Sequence, residues 1–265
     1  MITKKHKQGG PELYLQLGNV QKISAMVDEL IGMFVKVQQM LVGSRQIADR
    51  AKLEPVRLPL ATYHVSLFVC MLAGGPERFV GPKLSSAASG LRVTPEAWKQ
   101  LEAAVKVVMN KYAVSPTTQA EVMKRLSAQQ KEIIASSNRD LGPPLPINGS
   151  GVYQQIGGDG RIALLVDRYF QLLATDRVGF GAVKLTGLVQ RAGLTVPGLK
   201  VTMIDALCAT LGGPQQPVTR TPLSLFRLDA NDQKLADALW MKAMDEIKIN
   251  KNDQKTVETA FRRLR

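Results

Sequence analysis

The strongest constraint on this chain is that part of it is written twice. Cys70-Met71-Leu72-Ala73-Gly74-Gly75-Pro76 is answered by Cys208-Ala209-Thr210-Leu211-Gly212-Gly213-Pro214, with the cysteine, both glycines and the proline matching without a gap. Earlier, Leu13-Tyr14-Leu15-Gln16-Leu17-Gly18 pairs with Val152-Tyr153-Gln154-Gln155-Ile156-Gly157, and Ile23-Ser24-Ala25-Met26-Val27-Asp28 pairs with Ile162-Ala163-Leu164-Leu165-Val166-Asp167. Later, Leu91-Arg92-Val93 pairs with Phe226-Arg227-Leu228. Chance produces one such match; four in one order call for a duplicated structural unit. Between the copies the text turns rich in proline and glycine, through Gly142-Pro143-Pro144-Leu145-Pro146, which cannot continue a helix and has the composition of a spacer. The expected layout is a basic tail over 1–10, a first domain over 11–136, a linker over 137–150 and a more divergent second domain over 151–265.

The periodicity within each copy is helical. Trp98, Leu101, Val105, Val108 and Tyr112 recur at three- and four-residue spacing and form one apolar stripe. Thr94-Pro95-Glu96 precedes it as a start signal, with Thr as cap and Pro in the first turn. Ser115-Pro116 opens the next helix, whose stripe runs through Val122, Leu126 and Ile133. Strand-like alternation is absent, so the expected fold class is all-α, with two tandem domains.

The chain carries 35 Lys and Arg against 22 Asp and Glu, a formal charge of +13. Both copies are basic, so the excess is not confined to a tail and points to acidic partners. No arginine-rich run, aromatic ladder or nucleic-acid-binding motif selects among an acidic protein lattice of the microtubule kind, a nucleic-acid-rich particle and an anionic membrane. No apolar run is long enough to cross a bilayer. The opening Met1-Ile2-Thr3-Lys4-Lys5-His6-Lys7 leads into polar residues and does not read as a secretory signal. Two cysteines, Cys70 and Cys208, give no disulfide framework, and a reducing intracellular compartment is expected: the cytoplasm, or a cytoskeletal or organellar assembly.

Two motifs in each copy carry a family resemblance. One is the opening turn, Tyr14…Leu17-Gly18 and Tyr153…Ile156-Gly157-Gly158, where the first copy has Asn19 for the second glycine. The other is an apolar helix running into Gly-Gly-Pro and an aromatic, read in the first copy as Leu67-Phe68-Val69-Cys70-Met71-Leu72-Ala73-Gly74-Gly75-Pro76-Glu77-Arg78-Phe79. With these motifs each copy resembles a group I truncated haemoglobin along nearly its whole length, and the resemblance implies a truncated-globin-like helical domain. In that family the following segment supplies the proximal histidine that binds the haem iron. Here Ala88 falls at that position in the first copy and Leu223 in the second, and no histidine follows His64. Alanine and leucine have no lone pair for iron, so no haem is expected. The resemblance also sets Val65 and Met203 at the pocket-facing position of the helix over the haem. It sets Ile31 and Phe170 where haem-binding members often place an oxygen-binding tyrosine. All four are apolar, as a filled pocket requires.

His64 is the one remaining candidate haem ligand, against the plainer reading of a half-exposed histidine at a helix edge. His6 lies in the basic tail. The two cysteines follow the pocket-facing positions by five residues, about 140° round the helix, and should pack away from the pocket as inert thiols. A catalytic triad has no base, and Gly157-Gly158-Asp159-Gly160 lacks the Lys-Ser or Lys-Thr of a phosphate-binding loop. The closing Phe261-Arg262-Arg263-Leu264-Arg265 fits a solvated helix end as well as a contact to an acidic partner. No enzyme activity and no metal site are expected. The sequence supports a haem-free structural or adaptor protein docking a basic surface on an acidic partner. Two alternatives stand beside it: an oxygen or nitric oxide globin ligated through His64, and a sensor holding an apolar ligand in an empty globin pocket.

Overall fold

A computed structural model describes residues 12–41, 57–81, 93–138, 147–177, 179–216 and 228–264, with the side chains at 34–41 and 57 excepted. These residues form helices and no strands. The helices are α1 (Glu12–Gln16), α2 (Asn19–Leu41), α3 (Arg57–Leu72), α4 (Pro95–Lys111), α5 (Pro116–Ser127) and α6 (Gln130–Ser137). They continue as α7 (Gly151–Gln155), α8 (Gly158–Thr175), α9 (Gly181–Arg191), α10 (Val196–Leu211), α11 (Ala230–Glu246) and α12 (Lys251–Arg262). Among the described residues no single helix is long and apolar enough to cross a membrane. The chain divides into two compact units, Met1–Val37 with Ser66–Pro146 and Gln38–Val65 with Ile147–Arg265. One boundary falls inside α3, so Tyr63 and His64 belong to the second unit although they precede the linker in sequence.

Helix starts follow from local chemistry. Thr94 Oγ1 accepts the Ala97 N–H at 3.1 Å, Ser115 Oγ accepts that of Thr118 at 3.2 Å, and a proline in each first turn presets the backbone. In the second unit Asp229 accepts from Asn231 and Asp232, and Asn250 accepts from Asn252. These N–H groups pull the Asp229 carboxyl below the usual aspartate range, the bond from Asp232 most strongly.

The two units use the same backbone at paired positions. Gly18 (φ +82°) corresponds to Gly157 (+100°), and Gly74 (+83°) to Gly212 (+99°). Asn19, which replaces the second glycine of the opening turn, sits at φ +58° where Gly158 sits at +70°. Asparagine enters this left-handed region more readily than other side chains, so the substitution preserves the turn. Ala113 (+52°) and Lys248 (+58°) likewise mark the same bend between the last two long helices of each unit. The helix pairs flanking that bend have equal lengths, 17 and 12 residues in both units.

The second unit is built round α8, which packs against α9, α10 and α11, while α12 closes on α10 and α11. Its centre is aromatic. Trp240 and Phe261 stack with centroids 4.2 Å apart, and Tyr169 meets both rings edge-on at 5.2 and 5.4 Å. The first unit buries Ile23, Leu67, Cys70 and Trp98 instead, with α5 packed against α1 and α4.

Candidate functional site

The repeated opening turn and the repeated Gly-Gly-Pro exit meet in the same way inside each unit. In the first, Tyr14 Oη donates to Glu77 Oε1 at 2.5 Å and accepts the Val20 N–H at 3.0 Å. In the second, Tyr153 accepts from the Asp159 backbone N–H and pairs with Gln215, the residue that follows Gly-Gly-Pro as Glu77 does. Burial is the main cause that raises both tyrosines far above the usual phenol range. The glycines are required for this approach. A Cβ on Gly75 would stand 2.5 Å from the Tyr14 ring, and one on Gly213 would stand 2.8 Å from the Tyr153 ring. Each corner thus joins a phenol, a backbone N–H and the carboxylate or amide that follows Gly-Gly-Pro.

The positions that the resemblance marks as pocket-facing are filled unequally. In the second unit Met203 is 0% exposed and Phe170 3%, enclosed with Tyr169, Trp240 and Phe261. In the first unit Ile31 is only half-buried. Val65, which belongs to the second unit, is 38% exposed. Ala88 and Leu223 lie outside the described residues, as do the basic tail and most of the linker.

His64 lies inside the second unit with Nε2 2.8 Å from Asp159 Oδ2, near the start of α8. Its neighbour Tyr63 is fully buried, donates to Asp205 Oδ1 at 3.0 Å and accepts from Gln215 Nε2 at 3.3 Å. Burial, reinforced by the nearby Cys208 and Asp205, holds the Tyr63 phenol well above its ordinary range. Sequence reasoning missed this polar cluster because its members stand up to 152 residues apart and no spacing rule joins them. It also passed over Trp240, although the repeat sets Trp240 opposite Val105.

Both cysteines are free and buried, and desolvation pushes each thiol up, away from the reactive thiolate. Among the described residues no cluster of three or more His, Cys, Asp or Glu could hold a metal ion.

Comparison with known protein families, with characterised proteins and with solved structures finds no match to this chain.

Proposed function

We propose that this chain is a haem-free, globin-like structural or adaptor protein, without catalytic activity, that docks on an acidic partner. The observation carrying it is the closed interior of the second unit. Met203, Phe170, Tyr169, Trp240 and Phe261, carried on α8, α10, α11 and α12, are all buried, which supports an interior filled by side chains rather than by haem. Ligation through His64 is disfavoured because its Nε2 is engaged by the Asp159 carboxylate. The acidic partner is supported by charge: 35 Lys and Arg against 22 Asp and Glu leave a formal +13, with both copies of the repeat basic.

The test is binding of the full chain to poly-glutamate, followed across salt. Affinity should fall roughly tenfold as ionic strength rises from about 0.05 to about 0.3 M. Neutralising Lys234, Lys242 and Lys248 to Gln should weaken binding and flatten its salt dependence. Salt-independent binding, or none, removes the docking reading.

A second reading is favoured by one observation in the first unit. Leu30, Ile31, Val105 and Leu126 stand opposite Tyr169, Phe170, Trp240 and Phe261, yet are smaller and only half-buried. That interior suits an apolar small-molecule ligand, as in the sensor alternative.

A further inference from the structure

The two units make the same interhelical ion pair with the charges exchanged. In the first, Lys111 near the end of α4 pairs with Glu29 on α2 at 2.7 Å. In the second, the repeat-equivalent positions hold Glu246 near the end of α11 and Arg168 on α8, again paired. The pairing acts on both partners: it raises Lys111 and Arg168 and lowers Glu246. The neighbouring contacts keep one polarity. Gln119 bonds Asn110 Oδ1 and the Val114 carbonyl, and Gln254 bonds Asp245 Oδ1 and the Ile249 carbonyl. The reversal is thus local to one contact of an otherwise matching arrangement.

We propose that this exchange specifies which helices close on which, so that each copy completes its own core. A duplicated chain can mispair, because α2 and α8 occupy the same place in the repeat, as do α4 and α11, within one molecule or between two. In either crossed arrangement Glu29 meets Glu246 and Arg168 meets Lys111. Two attractions become two repulsions at once. Each exposed pair is weak by itself, but the discrimination counts all four terms. The residues acting are Glu29, Lys111, Arg168 and Glu246, and the partner excluded is the other copy of the repeat.

The experiment is refolding of the full chain from denaturant, with monomer and larger species separated by size. Glu29→Arg with Lys111→Glu keeps a native pair in the first unit but gives both copies the same polarity. The share of non-monomeric product should rise roughly threefold to tenfold over the parent. Adding Arg168→Glu and Glu246→Arg restores opposition and should return the share to the parent level. An unchanged share in the double variant overturns the proposal, and so does failure of the fourfold variant to recover. Loss through simple damage at the altered positions would be deeper in the fourfold variant, the opposite of what the proposal requires.

Discussion

The two copies share their turns, helix lengths and bends, but not their interiors. Where the second unit stacks Trp240 on Phe261 and flanks them with Tyr169 and Phe170, the first has Val105, Leu126, Leu30 and Ile31. The difference teaches that backbone conformation at a few glycine-like positions is a stricter requirement of this unit than the volume of its centre. Gly18, Asn19, Gly74 and Ala113 repeat the left-handed angles of Gly157, Gly158, Gly212 and Lys248. The side chains between them changed size freely. Each copy fills its centre in its own way, the second with rings and the first with half-buried aliphatics.

The largest expected effect lies at the aromatic centre. Trp240→Ala should cost about 3–5 kcal/mol, while Val105→Ala, half-exposed, should cost about 1 kcal/mol or less. Each unit holds one tryptophan, so Trp98 fluorescence in the Trp240→Ala variant reports the first unit alone. Its midpoint in urea should stay where it was, and equal losses for the two variants would erase the contrast.

Next is the polar cluster of the second unit. Tyr63→Phe leaves Asp205 without its phenol donor and should cost about 1–3 kcal/mol. The same phenol gives the pH dependence a sign. Tyr14, Tyr63 and Tyr153 are all held above the ordinary value of 10.0, so the folded chain keeps protons that the unfolded chain releases. Their contribution is complete below pH 10 and is lost as pH rises beyond it. Alkaline unfolding monitored by circular dichroism should begin there, and Tyr63→Phe should flatten its slope.

The smallest effect sharpens the shared turns. Gly158→Ala forces a Cβ into the left-handed region and within 2.9 Å of Ile147, at a cost of about 1–2 kcal/mol. Asn19→Gly should change stability by no more than about 0.5 kcal/mol, since asparagine already accepts that angle. Thermal melts of the two variants check both values, and a large loss at Asn19 would mean that its side chain does more than tolerate the turn.

The helical class, the caps at Thr94 and Ser115 and the paired turns were legible because local chemistry writes them. The resemblance did not separate Met203 and Phe170, which are buried, from Val65, which is 38% exposed. Nor could it find His64 against Asp159, or Tyr63 against Asp205 and Gln215, since such contacts arise only from tertiary packing.

The proposed function requires that the chain hold no haem. Titrating the purified chain with haemin, and scanning through the Soret region, tests it. The closed centre round Trp240 and Met203 and the engaged Nε2 of His64 predict only the broad absorption of unbound haemin. A sharp Soret band that saturates at one haemin per chain, and is lost in His64→Ala, would contradict the account and make gas binding the leading function.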